Sequence, residues 1–168
     1  MNKDLRYLSP EIMEIIGAEL KRRRLRSAKT LEEFECGCSV SYLSKIENGK
    51  IIPKYTIMQE LCEKSGITDE ELEALATLDE KISFAIENIF WENYSEISKI
   101  YESVCMFDNY KTNLIKMIYE MNYFHWDKVE SHSNSIYIIK DNLKNNDFYL
   151  YTYLLMCINK NHYFLNCL

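Results

Sequence analysis

Apolar residues recur along most of the chain at the three- and four-residue spacing that lines one face of an α-helix. The first clear stretch covers residues 11–26 and keeps four apolar side chains on one side, namely Ile12, Ile15, Ile16 and Leu20. Ser9 is a suitable N-cap for this helix, and Pro10 suits its first turn. The pattern therefore predicts a helix that ends in a basic run, residues 21–26, which complements the negative end of the helix dipole.

Four shorter helices are predicted between this helix and residue 78. They are expected over residues 31–36, 40–48, 55–65 and 69–78. Thr30 and Glu33 have the spacing of a capping box at the start of the second helix. Ser39 is the expected N-cap of the third helix, and Gly49 is expected to end it in a left-handed conformation. The first 78 residues thus predict five helices.

The second half of the chain is predicted to be helical throughout, with helices over residues 79–92, 94–106, 109–121, 127–143 and 147–159. Residues 90–97 resemble residues 122–129, and residues 159–165 form a poorer third copy. Three aromatic residues occupy corresponding places: Tyr94, Trp126 and Tyr163. Their separations of 32 and 37 residues lie near the tetratricopeptide period of about 34. We therefore expect an all-α protein in which a five-helix domain precedes antiparallel helix pairs, about two and a half repeats in all.

The composition agrees with a folded helical protein. Of the 168 residues, 47% are hydrophobic, and only 4 are glycine and 2 are proline, which favours long helices over a turn-rich β architecture. The first residues lack the apolar core of a signal peptide, and no apolar run approaches the roughly 20 residues that cross a bilayer. We therefore expect a cytoplasmic protein without membrane association, whose cysteines are thiols.

The net charge of −6 argues against nucleic-acid binding, but the charges are distributed unevenly. Residues 1–68 hold 12 Lys and Arg and 10 Asp and Glu, whereas residues 69–168 hold 8 and 16. Such asymmetry is typical of a DNA-binding head on an acidic body that binds partners. A solvated acidic face gives the same count, so the charge is a hint and not a proof.

Few residues suggest catalysis or metal binding. Cys36 and Cys38 have a spacing that occurs in metal and redox sites, but no second cysteine pair or histidine lies near them in the sequence. Small buried hydrophobic residues are the favoured interpretation of this pair. The three histidines, His125, His132 and His162, lack ligand spacing, and no Gly-rich phosphate loop or catalytic dyad is visible. We expect neither an enzyme nor a cofactor- or metal-binding protein.

Several stretches of the first half together match the pattern of a known family. They are residues 16–21, Arg24, residues 30–34, residues 38–50 and Pro53, of which residues 38–50 are the strongest match. With the three-residue turn between the second and third helices, they resemble the Cro/repressor-type (XRE) helix-turn-helix domain. The chain is also similar to Rgg-like and PlcR-like peptide-sensing regulators, in which such a domain precedes tetratricopeptide-like helices.

The resemblance implies three parts. A DNA-binding domain is expected over residues 1–68, a connecting helix over residues 69–78 and a tetratricopeptide-like domain over residues 79–168. Such sensors usually have five or more repeats, so the last part either is truncated or belongs to a reduced relative.

The resemblance also implies a role for positions around the third helix. Base edges are expected to contact four side chains, Val40, Ser41, Ser44 and Lys45. Lys45 is the candidate for a guanine contact and Val40 for a thymine methyl group. Phosphates are expected to contact five others, Ser39, Tyr42, Asn48, Lys50 and Arg22. Arg24 and Glu47 are assigned to stability, as a buried pair that ties the first helix to the end of the third.

Three departures from the family pattern leave an alternative open. Leu31 stands where the family usually has a Gln that grips a phosphate, Glu35 replaces a small residue, and residues 30–38 are about one residue short. The leading hypothesis is a dimeric, sequence-specific transcription regulator that binds double-stranded DNA. The alternative is a protein-interaction module whose degenerate helix-turn-helix no longer binds DNA.

The C-terminal helices are expected to receive a signal. By resemblance, a short linear peptide or a protein would bind in their groove, where asparagine amides both donate and accept hydrogen bonds. Asn88, Asn113 and Asn122 are the candidates. A stack of so few repeats leaves an apolar face open, which predicts a homodimer or another partner.

Overall fold

The structure is a computed structural model that describes residues 5–165 apart from residue 35; for residues 6, 90, 145 and 160–165 it describes the backbone alone. Every regular element in this part of the chain is helical, which confirms the all-α prediction. Two short 3₁₀-helices are Leu5–Tyr7 and Lys140–Asn142. The α-helices are α1 (Pro10–Arg26), α2 (Val40–Glu47), α3 (Tyr55–Ser65), α4 (Asp69–Ala76), α5 (Leu78–Phe90), α6 (Tyr94–Val104), α7 (Tyr110–Asn122), α8 (Trp126–Tyr137) and α9 (Asn145–Leu165).

The chain divides into two compact units after Leu78, the first residue of α5. The N-terminal unit is built around α1, which packs against α2, α3 and α4. The buried face of α1 includes four side chains that are at most 2% exposed: Ile12, Met13, Ile16 and Leu20. The predicted N-caps are confirmed. The Ser9 hydroxyl accepts a hydrogen bond from the Ile12 amide, and the Ser39 hydroxyl accepts one from the Tyr42 amide, each at 3.3 Å.

The second helix, predicted over residues 31–36, is not formed in the described residues 31–34, which make a turn. Its capping box is present: the Thr30 amide donates to the Glu33 carboxylate at 2.8 Å, and the Glu33 amide donates to the Thr30 hydroxyl at 3.2 Å. The Phe34 amide also reaches the Thr30 carbonyl at 3.2 Å. One such bond does not offset the cost of nucleating a helix, and Gly37, at φ 63°, turns the chain before a second helical turn is complete. Instead of five helices, the described part of the N-terminal unit has four α-helices and this turn.

The C-terminal unit contains two helix-to-helix turns that share one geometry, and the helices α7 and α8, which flank the second turn, pack against each other. Glu92, between α5 and α6, has a φ of 56°, and Phe124, between α7 and α8, has a φ of 59°. The next residues, Asn93 and His125, donate their amides to carbonyls five positions earlier, at 2.9 and 3.0 Å. These matching turns lie 32 residues apart, so the backbone geometry supports the internal repeat between them.

The third copy of the repeat, over residues 159–165, does not form a turn. Instead α9 continues unbroken to Leu165. A hairpin turn of this kind needs a left-handed residue, and the described non-glycine residues with positive φ are Ala28, Glu92 and Phe124. The helix predicted over residues 127–143 is also shorter than expected, because α8 ends at Tyr137.

One buried lysine joins three helices of the C-terminal unit. Lys111 of α7 is 3% exposed, and its ammonium donates to Asp79 of α5 at 2.5 Å and to Asp147 of α9 at 2.8 Å. Burial opposes the charge on Lys111, but the two carboxylates outweigh burial and raise its pKa. The Tyr110 hydroxyl donates to Asp147 at 3.2 Å, and burial raises the pKa of this hydroxyl to about 12. The cluster thus holds α5 and α9 against α7.

Replacing Glu92 by glycine is expected to raise the free energy of unfolding of the C-terminal unit by about 0.5–1 kcal/mol. The left-handed conformation costs an L-residue about 1–2 kcal/mol, and the greater flexibility of glycine in the unfolded chain offsets part of that gain. Urea unfolding followed by tryptophan fluorescence measures the change, because both tryptophans, Trp91 and Trp126, belong to this unit.

The matched control is Glu87→Gly, at an exposed position inside α5. It is expected to lower the free energy of unfolding by about 1 kcal/mol, because glycine is unfavourable inside a helix. A loss of stability in both variants would contradict the strain inferred at Glu92.

Candidate nucleic-acid interface

The helix α2 presents a polar outer face. Three of its residues are at most 4% exposed: Leu43, Ile46 and Glu47. Ser41 and Lys45, one turn apart, are exposed, and Val40 and Ser44 are partly exposed. The four base-contact candidates therefore all lie at solvent-accessible positions of one helix, as a helix that enters a major groove requires.

The N-terminal end of α2 combines a hydroxyl cap with an accessible tyrosine. Ser39 is exposed and adopts the extended conformation of an N-cap, with φ −68° and ψ 151°. Tyr42, in the first turn of α2, is partly exposed, and its backbone amide donates to the Ser39 hydroxyl. Amide groups and the helix dipole favour an anion at such an end. Ser39 and Tyr42 thus lie together where the sequence predicts phosphate contacts.

At the C-terminal end of α2, one phosphate candidate is already engaged. The Asn48 side-chain amide donates to the Ser44 carbonyl at 2.6 Å and to the Ser44 hydroxyl at 3.4 Å. The Asn48 backbone amide also donates to the Ser44 carbonyl, at 3.1 Å, so a phosphate contact by Asn48 would have to replace one of these bonds. Lys45 and Lys50 are exposed, and neither forms an ion pair with another residue of the described part. Both ammonium groups are available to a ligand.

Two glycines let α1 and the end of α2 approach each other closely. A Cβ on Gly17 would lie 2.9 Å from the Glu47 carbonyl oxygen and nearer still to that of Ile46. A Cβ on Gly49, which has a φ of 66°, would lie 2.5 Å from the Cα of Glu14. The position of α2 against α1 therefore depends on the absence of both side chains. Sequence reasoning assigned Gly49 to the helix end and missed the close approach at Gly17.

The predicted pair of Arg24 and Glu47 is confirmed. The Arg24 guanidinium donates from Nε and Nη2 to the two Glu47 oxygens, at 2.6 and 2.8 Å, and from Nη1 to the Lys29 carbonyl at 2.7 Å. The two side chains are 6% and 2% exposed. The hydrogen bonds to Glu47 raise the pKa of Arg24. This pair joins the end of α1 to the last residue of α2 and so orients the candidate interface.

The other arginines of the basic run also contact carboxylates. Arg22 donates from Nε and Nη2 to Glu19 at 2.7 and 2.5 Å, and Arg23 donates to Glu19 at 2.7 Å. Arg23 further donates to the Gly66 carbonyl and, at 2.9 Å, to Glu71 of α4. Burial disfavours the charge on Glu19, but the hydrogen bonds from the two arginines outweigh burial and lower its pKa. The phosphate role predicted for Arg22 stays a prediction, now with two of its N–H groups occupied.

The three peptide-contact candidates lie in the C-terminal unit. The Asn88 amide donates to the Phe84 carbonyl at 2.8 Å, and the Asn113 amide donates to Asp108 at 3.2 Å. The side-chain nitrogen of Asn122 is buried without a partner. Asn88 and Asn113 are at most 5% exposed, so neither presents a free amide at the surface. Peptide contacts by these residues stay a prediction.

The described residues contain no group of three or more His, Cys, Asp and Glu side chains arranged to hold a metal ion. None of the helices in this part of the chain is both long and apolar enough to span a membrane. Cys36 is buried as the sequence predicts, whereas Cys38 is partly exposed.

Comparison with known proteins agrees with this arrangement of helices. Residues 15–75, which lie within the N-terminal unit, match a family model described as a helix-turn-helix domain. The transcriptional activator NprA of Geobacillus stearothermophilus is 33% identical over 66 residues, which are 39% of this chain and 16% of that protein. The similarity thus spans a small share of that relative's length. No solved structure matches the chain.

Proposed function

We propose that the protein binds double-stranded DNA through α2 and regulates transcription. The observation that carries the proposal is the outer face of α2, where Ser41 and Lys45 are exposed one turn apart inside a helix-turn-helix domain. Similarity to a protein named as a transcriptional activator supports the regulatory part.

Each candidate side chain has its own expected contact. Lys45 donates to the O6 and N7 atoms of guanine, and Val40 contacts a thymine methyl group. The hydroxyls of Ser41 and Ser44 bond to either kind of base edge. Ser39 and Lys50, at opposite ends of α2, are proposed to bind phosphates, which would fix how the helix lies in the groove.

The C-terminal unit is proposed to pair two copies and to receive the signal. A homodimer would place two α2 helices in successive major grooves, about 34–36 Å apart, on a site with two half-sites. The matching turns at Glu92 and Phe124 support the tetratricopeptide-like interpretation of this unit. A peptide or protein signal would then act by changing the distance between the two copies of α2.

Replacing Lys45 by alanine is expected to weaken binding to the selected DNA site by about 1–3 kcal/mol. The reason is the lost guanine contact, so the variant should also discriminate less between the site and mutated versions of it. Fluorescence anisotropy with fragments selected from the source genome measures both quantities.

The matched control is Lys99→Ala, which removes the same charge from an exposed side chain of α6 in the other unit. Its affinity should equal that of the unchanged protein. Equal affinities for Lys45→Ala, Lys99→Ala and the unchanged protein would refute the base contact at Lys45.

A protein-interaction module without DNA binding is the second candidate function. The observation that favours it is the turn at residues 31–34, because the family uses a helix there to grip a phosphate, and Leu31 replaces the gripping residue. A folded sample that binds no genomic fragment would favour this function. A mixture of fragments that yields one tightly bound sequence would exclude it.

A further inference from the structure

The two cysteines before α2 face each other. The Sγ atoms of Cys36 and Cys38 lie 3.2 Å apart, in hydrogen-bonding contact. Gly37, between them, has a φ of 63°, and a Cβ placed there would meet no atom within 4 Å. The turn thus brings both thiols to one side without crowding, within 1.2 Å of the disulfide bond length of about 2.05 Å.

We propose that Cys36 and Cys38 form a redox modification site that closes to a disulfide in the presence of small-molecule disulfides, and that closing it weakens DNA binding by displacing the N-cap of α2. The second part rests on the proposed function. Cys38 directly precedes Ser39, whose hydroxyl accepts the Tyr42 amide at 3.3 Å. A disulfide requires the sulfur atoms to move from 3.2 Å to about 2.05 Å, and the short backbone between them must move with them.

The two thiols have different roles in the exchange. Cys38 is partly exposed, so a disulfide in solution reaches it first, whereas Cys36 is 1% exposed. Burial is the largest of the causes that raise the pKa of Cys36 to about 12. The hydrogen bond with Cys38 and the negative charge of the Cys38 thiolate raise it further. Once Cys38 is bonded to an incoming group, its thiolate charge is gone, and Cys36 becomes easier to ionise. The order is therefore attack by Cys38, then attack by Cys36.

The exchange balances without a further oxidant. The Cys38 thiolate attacks one sulfur of a disulfide RSSR and forms a mixed disulfide, while the other RS⁻ leaves and takes up the Cys38 proton. Cys36 then gives its proton to water and attacks the Cys38 sulfur, which breaks the bond to the bound group and releases the second RS⁻. The protein loses two hydrogens and two electrons, and RSSR is reduced to two RSH.

The test incubates the full chain with mixtures of oxidised and reduced glutathione, then alkylates and digests it with trypsin. Residues 30–45 form one tryptic peptide that contains Cys36 and Cys38 and no other cysteine, and residues 100–111 form one that contains Cys105 alone. We expect the first peptide to become resistant to alkylation and lighter by two hydrogens. Because Cys105 is exposed, its mixed disulfide shows that the oxidant was active. A first peptide that stays fully alkylated while Cys105 is oxidised would overturn the proposal.

Two variants separate the roles of the thiols. Cys36→Ser should trap a mixed disulfide with glutathione at Cys38, whereas Cys38→Ser should leave Cys36 reduced and unreacted. If the buried hydroxyl destabilises Cys36→Ser, Cys36→Ala serves the same purpose, and circular dichroism identifies which variant is folded. Glutathione trapped at Cys36 in the Cys38→Ser variant would contradict the proposed order.

The link to α2 is measured in two ways. Oxidation should weaken DNA binding by about five- to tenfold, the effect of losing a helix cap, and Cys38→Ser should remove this sensitivity. Hydrogen–deuterium exchange should accelerate in the first turn of α2, most of all at the Tyr42 amide, which donates to the Ser39 hydroxyl. Unchanged exchange and unchanged affinity in the oxidised protein would refute the link. Reduced protein that binds no DNA would refute the proposed function alone. Hydrogen–deuterium exchange would still show whether the disulfide disturbs the start of α2.

Discussion

Replacing Glu47 by alanine is expected to lower the free energy of unfolding of the N-terminal unit by about 3–5 kcal/mol. The change leaves the Arg24 guanidinium, whose side chain is 6% exposed, in the interior without its carboxylate. A buried charge without a partner cannot recover the solvation it has lost. Urea unfolding followed by circular dichroism measures the effect. Tryptophan fluorescence reports the C-terminal unit separately, since both tryptophans are there.

Two controls define what this loss means. Glu60→Ala removes a carboxylate from a solvent-exposed pair with Lys64 in the same unit and should change stability by about 0.5 kcal/mol or less. The double variant Arg24→Met/Glu47→Leu removes both buried charges and should recover most of the loss, because apolar residues often replace a buried ion pair without cost. A loss from Glu47→Ala no larger than that from Glu60→Ala would refute the structural role of the pair.

Replacing Gly17 by alanine is expected to lower the free energy of unfolding of the same unit by about 1–3 kcal/mol. Helix propensity alone predicts the opposite, since alanine is favoured over glycine inside a helix by about 0.8–1 kcal/mol. The added Cβ, however, would lie 2.9 Å from the Glu47 carbonyl oxygen and within contact of the Ile46 carbonyl, both backbone atoms. Backbone cannot move aside as a flexible side chain can, so steric repulsion should outweigh propensity.

The matched control is Gly37→Ala, where a Cβ would meet no atom within 4 Å and the strain of a left-handed residue is the sole penalty. The same unfolding measurement compares the two variants, and fluorescence anisotropy should find weaker DNA binding in Gly17→Ala, because α2 would be displaced from α1. A more stable Gly17→Ala variant would show that propensity outweighs the contact at this position.

The sequence predicted the helices and their caps well because these depend on neighbouring residues. Ser9, Ser39 and Gly49 lie next to the elements they begin or end, and their side chains or dihedral angles determine the boundary locally. The pair of Arg24 and Glu47, 23 residues apart, came from family resemblance and not from any local pattern.

The failures lie where a local signal was too weak or where tertiary packing decides. Thr30 and Glu33 form their capping box, yet the segment is too short to continue as a helix. The aromatic pattern at residues 159–165 resembles the earlier turns, but α9 passes through it without a break. No periodicity shows that Gly17 touches the backbone of α2, because that contact involves no side chain of its own.

At the candidate interface, the sequence analysis placed the exposed face of α2 correctly but missed the carboxylate contacts of the basic run. Lys45 and Ser41 are exposed as a recognition helix requires. The phosphate contact predicted at Arg22 stays a prediction, and what the sequence analysis missed is that the Arg22 guanidinium also contacts Glu19. The spacing of Glu19 to Arg22 and Arg23, three and four residues, was the available signal for these contacts.

Arginine side chains that are already paired with carboxylates are expected to displace few counterions from a DNA duplex. Arg23 and Arg24 are paired within their unit, and Arg22 is chelated by Glu19. A plot of the logarithm of DNA affinity against the logarithm of salt concentration falls more steeply by about 0.9 for each phosphate that the protein neutralises. If the unit binds DNA as proposed, its phosphate contacts would therefore fall mainly to lysines outside this trio, such as Lys45 and Lys50, which are exposed. Its hold on random DNA would then be weaker, and less sensitive to salt, than the number of its basic residues suggests.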